Sequence, residues 1–218
     1  MGKSFELLVF DWDGTLFDST GSIVRALQAA CRDLELPEPS ATQASHVIGL
    51  ELSLALRHIA PDLPGERLPS LVSRYREHYL AVDRDIRLFA GVHELIEALH
   101  ASGCQLAVAT GKTRKGLDRA FANSGLGPYF TASRCADECF SKPHPQMLQE
   151  LMDEFAVPGE RTLMIGDTTH DMQMAVNAGV AGLAVTYGAH TRAELTRLKP
   201  LACVDDVAQL ALWLKRNV

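Results

Sequence analysis

Two aspartates separated by one residue, Asp11 and Asp13, follow the short apolar run Phe5–Phe10 and precede Gly14. Alternate residues of an extended chain point the same way, so both carboxylates can address one site, and the glycine permits a tight turn after them. Such a pair after a buried strand points to a functional site, for example one part of an oxygen-rich cation site, whereas a polar turn or a helix cap needs only one aspartate. Three further segments carry comparable groups. Ala109-Thr110-Gly111-Lys112 ends another apolar run, and a threonine hydroxyl with a glycine N–H can hold phosphate oxygens, although Thr110 could equally cap a helix. A Walker loop is rejected there, because Leu106 occupies the position of its earlier glycine. Lys142, between Ser141 and Pro143-His144-Pro145, offers a point charge for a phosphate or a carboxylate. Ile165-Gly166-Asp167-Thr168-Thr169-His170-Asp171 ends a further apolar run. Asp167 can complete a site for a hard cation, while Asp171, in the first turn of a helix from Thr169, is also favoured by the helix dipole. His170 has no evident partner and reads as structural or exposed.

These groups need a scaffold that brings strand ends together. Phe5–Phe10, Cys104–Ala109, Thr162–Ile165 and Ala181–Thr186 are apolar runs separated by helix-compatible sequence, and Phe130–Cys135 is a weaker strand candidate. The alternation predicts an α/β fold, a Rossmann-like parallel sheet flanked by helices, whose ligands bind at the carboxyl ends of the strands. One interval breaks the rhythm. Ile23, Leu27, Ala30 and Leu34 are spaced to line one helix face, and further helical stretches run near Leu50–Ile59 and over Leu68–Val82. The expected organisation is therefore a discontinuous α/β catalytic core, 1–18 and 88–218, with a helical cap at 19–87 inserted before a helix near Val92. Another helix is expected over Gln146–Phe155.

Composition narrows the function classes. With 218 residues, 47% hydrophobic and 22% charged, the chain suits a globular protein with one sizeable core and an insertion. A net charge of -6 argues against a general nucleic-acid binder. The N-terminal apolar run is too short for a signal segment and no run spans a bilayer, so no membrane partner is expected. Five scattered cysteines fit reduced thiols and a cytoplasmic location. Cys135 and Cys139 make at most half a metal site, with no second Cys/His pair to complete it. His93, Glu94 and Glu97 lack the second histidine of a zinc-protease signature.

Taken together, DWDGTLFDS from Asp11, the Thr110 turn, Lys142 before Pro143, and GDTTHD from Gly166 resemble the four signature motifs of the haloacid dehalogenase superfamily, in that family's order and strand context. The likeness spans essentially the whole chain, with the insertion placed as in the phosphoglycolate phosphatase and β-phosphoglucomutase branch. It implies a phosphatase of a small phosphorylated metabolite, such as phosphoglycolate or a sugar phosphate, acting as a monomer or homodimer. Asp11 would be the nucleophile that becomes an aspartyl-phosphate, and Asp13 the acid and then the base. Mg²⁺ would be held by the Asp11 carboxylate, the backbone carbonyl of Asp13, and Asp167. Lys142, Thr110 and Gly111 would hold phosphoryl oxygens, with Asp171 orienting Lys142 or a metal-bound water.

The resemblance leaves two alternatives open. A phosphomutase would keep every core residue, and a phospho-accepting regulatory protein without turnover would not need Asp13 or the insertion. A dehalogenase needs neither Asp13 nor a Mg²⁺ site. Two departures from the branch are visible: Gly111 stands where related phosphatases often have Asn, and Phe89-Ala90-Gly91-Val92 lacks the proline of the usual return hinge. Arg57, Arg74 and Arg76 suit either an acidic substrate tail or a solvated helix face.

Overall fold

The structure, a computed structural model, describes residues 5–218. At its centre is strand β1 (Leu7–Phe10), all four residues of which are buried. An apolar run with no polar alternation needs strands on both sides and cover on both faces. After β1 the chain forms four helices in succession: α1 (Thr20–Asp33), α2 (Ala41–His46), α3 (Leu52–Ile59) and α4 (Leu68–Val82). It then alternates through α5 (Val92–Ala101), β2 (Gln105–Thr110), α6 (Arg114–Ser124), β3 (Ala132–Cys135), α7 (Gln146–Phe155), β4 (Thr162–Gly166), α8 (Thr169–Ala178), β5 (Ala181–Val185), α9 (Arg192–Thr196), β6 (Ala202–Val204) and α10 (Val207–Asn217).

The six strands form one parallel sheet in the order β3-β2-β1-β4-β5-β6, the α/β architecture that the strand-helix alternation predicts. Leu8 and Phe10 join Leu106, Val108, Leu163 and Ile165 in one apolar cluster, while Leu7 and Val9 join Ala107, Ala109 and Met164 in another. Alternate residues thus serve opposite faces of the sheet. The strand order reverses at β1, which has β2 on one side and β4 on the other, and a ligand crevice opens outside the strand ends at such a point. Phe10 pairs with both Val108 and Ile165, so the chain segments after all three strands emerge side by side.

Helices α1 to α4 pack into the larger cluster through Ile23, Leu27 and Ala30 of α1, Leu56 of α3, and Leu71 and Tyr79 of α4. The i, i+4, i+7 spacing in α1 places its apolar residues on one stripe; Leu34 lies just past its end and is partly buried against the same cluster. The way out of the core and the way back run together. Asp18 N–H donates to Arg87 O at 2.9 Å, and Phe89 N–H to Leu16 O at 3.1 Å.

Several elements differ from expectation at their edges. Helix α2 has no apolar periodicity, and a reciprocal capping box between Ser40 and Gln43 starts it instead. Strand β6 is only three residues long, too short for a pattern to be recognised. Strand β3 begins after Phe130, because the 3₁₀ turn Gly127–Tyr129 runs into that residue. All five cysteines are free thiols, and no metal-competent group among the described residues includes Cys135 or Cys139. Among the described residues no helix is long and apolar enough to cross a membrane.

Candidate active site

The sheet places Asp11 directly after β1 and Asp167 directly after β4, and Asp11 N–H donates to Ile165 O at 2.9 Å. Adjacent parallel strands force the two carboxylates together. The turn beyond Asp11 closes through Gly14, whose N–H donates to Phe17 O at 2.8 Å with a left-handed φ of 78°. A side chain at Gly14 would collide with Asp167 and Thr20, so glycine is required for close approach as well as for φ. Asp167 is fixed from two sides, by the Thr15 hydroxyl at 2.8 Å and the Ala189 N–H at 2.7 Å.

Asp171 enters the same pocket from the first turn of α8. Its Oδ2 accepts from the Thr168 N–H at 3.0 Å and the Thr168 hydroxyl at 2.6 Å, completing a capping box. Its Oδ1 accepts from Lys142 Nζ at 2.7 Å, and the same ammonium lies 2.8 Å from Asp11 Oδ1. Carboxylate oxygens of Asp11, Asp167 and Asp171 lie within 4.8 Å of one another. Lys142, Asp11, Asp167 and Asp171 are almost wholly buried. Apart from its ion pair with Lys142, Asp11 has no hydrogen-bond partner for either oxygen among the described residues.

Buried anions at this spacing are electrostatically strained. Burial, reinforced by Asp171 and Asp13 and only partly opposed by Lys142, pushes the Asp11 carboxyl up to about 7. Burial, with Asp11 and Asp171 nearby, raises Asp167 well above the usual carboxylate range. Burial alone would lower Lys142, but Asp11 and Asp171 outweigh it and hold the ammonium above its ordinary value. With all four carboxylates ionised, Asp13 counted, two ammonium groups would leave two negative charges unmatched, which is why Asp11 and Asp167 are pushed toward holding protons when no cation is bound. An all-oxygen donor set with orphaned carboxylate oxygens fits a hard divalent cation, and Mg²⁺ characteristically uses one or two carboxylates. Asp13 is absent from the three-carboxylate cluster.

Asp13 instead points toward the helical insertion. Ser19 Oγ donates to its Oδ1 at 2.6 Å, and Lys112 Nζ lies 3.0 Å from its Oδ2. Lys112 also donates to the hydroxyl of Tyr79 on α4 at 3.0 Å, so one ammonium joins Asp13 to the insertion. Thr110, at the end of β2, is buried and accepts from the Lys112 N–H at 3.2 Å. Gly111 sits against the turn after α2: a side chain there would come within 2.6 Å of Gly49 O and 2.7 Å of Leu50 O. An asparagine at this position, as the resemblance would suggest, would overlap these carbonyls.

Lys112, Tyr79, Ser19 and Thr15 escaped the sequence reading. Thr15 and Ser19 flank the Asp11 and Asp13 segment, but their types alone do not distinguish a ligand-orienting hydroxyl from a turn residue. Lys112 was weighed only against a Walker loop; its true partners lie far away in sequence. His170 does have a partner: its Nε2 lies 2.9 Å from His46 O, and the rings of His46 and His190 stack at 4.9 Å beside it. Of the three insertion arginines, Arg74 pairs with exposed Glu77 at 2.8 Å, Arg57 is exposed, and Arg76 lines a cavity of about 460 Å³ that reaches Asp11 and Asp13.

Comparison with known proteins agrees with this geometry. The model of a family described as "Haloacid dehalogenase-like hydrolase" matches residues 8–185. The "Probable phosphatase IndB" of Dickeya dadantii is 36% identical over 210 residues, covering 94% of this chain and 91% of that protein. A phosphoglycolate phosphatase of Agrobacterium fabrum is 30% identical over 212 residues, covering 94% and 90%. Among solved structures, a haloacid dehalogenase-like family hydrolase from Streptococcus pneumoniae superposes with a TM-score of 0.82 at 25% identity, over 96% of this chain and 98% of the other.

Proposed function

The chain belongs to the haloacid dehalogenase-like hydrolases, and from that premise we propose that it is a Mg²⁺-dependent phosphatase that hydrolyses a small phosphate monoester through an aspartyl-phosphate on Asp11. The observation that carries this reading is the buried Asp11 carboxylate, paired only with Lys142 among the described residues and lying beside Asp167. A carboxylate relieved of hydrogen bonds is available both to a cation and to phosphorus.

In the first step an Asp11 oxygen attacks phosphorus, the ester P–O bond breaks, and Asp13 gives its proton to the departing oxygen, releasing an alcohol. In the second, Asp13 takes a proton from water as that water attacks phosphorus, which frees phosphate and returns Asp11 to a carboxylate. Asp11, Asp167 and the backbone carbonyl of Asp13 would hold Mg²⁺. When bound, the ion supplies positive charge that offsets repulsion between an anionic nucleophile and an anionic phosphate. Lys142, Thr110 and the Gly111 N–H stabilise the transferring phosphoryl oxygens. Asp171 holds Lys142 in place, since its other oxygen is tied to Thr168. Ser19 and Lys112 aim Asp13 toward the insertion side, where the leaving group would sit.

Residues 19–87 serve as a cap over a core made of 1–18 and 88–218, with the paired segments at Leu16–Asp18 and Arg87–Phe89 as its tether. Closure of such a lid excludes water from the reacting groups. The expected partner is a small phosphorylated metabolite in the cytoplasm, and the expected assembly a monomer or homodimer. Phosphate release from a panel of monoesters, with and without Mg²⁺, tests the proposal when Asp11→Asn is run beside the wild type. The expected result is Mg²⁺-dependent release by the wild type and none by a folded Asp11→Asn; comparable turnover by both would exclude Asp11 as nucleophile.

A further inference from the structure

We propose that the alcohol part of the ester is largely apolar and well above two carbons in size, so that a two-carbon acid ester such as phosphoglycolate is a poor substrate. This rests on the phosphatase reading above and narrows its substrate class.

The cavity that reaches Asp11 and Asp13 holds about 460 Å³ between the core and the insertion. That is within the range of roughly 300–1,000 Å³ typical of small-molecule sites and far more than a two-carbon group requires. Its walls on the insertion side are side chains such as Ile23 and Leu27 of α1, Val47 and Ile48 after α2, and Tyr75 of α4. Tyr75 stacks on Tyr79 with ring centroids 5.9 Å apart. The apolar lining continues outward, because Leu80, also part of the lining, is 48% exposed.

Four cations line this space, two of them committed to carboxylates and two exposed to water. Lys112 is held by Asp13 and Tyr79, and Arg119 by Asp83 at 2.5 Å. Arg76 and Lys115 also line the cavity but are exposed, so their charges stay hydrated. A substrate carboxylate next to the reacting phosphate would therefore be desolvated largely against aliphatic side chains, with only hydrated cations to offset the loss, which is unfavourable. An alkyl or ring group would instead displace water from those same side chains, which is favourable in proportion to the apolar area covered.

A series of straight-chain alkyl phosphates from ethyl to octyl tests this, because their leaving groups are nearly equal in acidity and differ chiefly in length. Burying one methylene contributes about 0.8 kcal/mol, which converts to about fourfold in kcat/KM per methylene. With saturating Mg²⁺ and the wild-type protein, kcat/KM is expected to climb by about that factor per step over the first members of the series, with phosphoglycolate well below butyl phosphate. Ile48→Asn, which sets an amide in the wall, is expected to reduce the hexyl-to-ethyl ratio at least tenfold. A flat or falling series in the wild type, or phosphoglycolate turned over faster than hexyl phosphate, overturns the inference and leaves the phosphatase reading intact. No Mg²⁺-dependent release from any alkyl phosphate or from phosphoglycolate overturns both.

Discussion

Replacing Asp167 by Asn is expected to make the metal-free protein more stable while removing most of its response to Mg²⁺. Oxygens of Asp11, Asp167 and Asp171 lie within 4.8 Å of one another, and the buried ammonium of Lys142 contacts Asp11 and Asp171. Two unit charges at that distance repel by about 3.5 kcal/mol at an effective dielectric constant of about 20. Proton uptake by the raised Asp11 and Asp167 carboxyls relieves part of this, so neutralising Asp167 should stabilise the metal-free fold by about 1–3 kcal/mol. The amide fits the site, since its oxygen can keep the Ala189 N–H and its NH₂ can donate to Thr15 Oγ1, whose hydroxyl is free to turn. Urea unfolding in chelator and in excess Mg²⁺ measures both quantities. The wild type should gain stability with Mg²⁺, while Asp167→Asn should start higher, gain little and release no phosphate. A variant less stable than the wild type in chelator, or one with the full Mg²⁺-induced gain, would refute the reasoning that these carboxylates are strained for want of a cation.

Lys142→Met should destabilise the protein by about 3–5 kcal/mol, the usual cost of leaving buried charges without their partner, and a loss under about 1 kcal/mol by urea unfolding would contradict the pairing. Gly111→Ala should cost about 1–3 kcal/mol and loosen the insertion from the core, because the new methyl would overlap Gly49 and Leu50 carbonyls; unchanged stability and unchanged protease resistance of the insertion would argue against that close contact. Burial, helped by His170 and His46, lowers His190 to about 4, whereas an unfolded histidine titrates near 6.5. As pH falls from about 6.5 to about 4 the unfolded chain binds a proton that the folded chain refuses, so stability is lost in that window. His190→Gln should make the loss shallower, and identical pH slopes in variant and wild type would count against a buried neutral His190.

The β1 strand and the aspartates after it were legible because an unbroken apolar run of this length fits little other than a central parallel strand. Helix α4 was legible as a helical stretch after the Pro61–Gly65 breaker, and α7 from Pro143 and Pro145 ahead of it. Helix α2 was not, since local capping between Ser40 and Gln43 defines it and no apolar stripe does. In the site, the groups that follow strands could be read from position alone. Lys112 could not, because its role depends on Asp13 and on Tyr79 from the inserted helices, contacts made only when the chain folds back on itself. The histidine packing of His46, His170 and His190 was hidden for the same reason.

The stereochemical course at phosphorus tests attack by Asp11 most directly. A thiophosphate monoester made chiral at phosphorus with two oxygen isotopes, hydrolysed by the wild-type enzyme in water carrying the third, should give thiophosphate of retained configuration, since two successive in-line displacements invert the centre twice. Inverted product would mean that water attacks the ester in one step and that no aspartyl-phosphate forms.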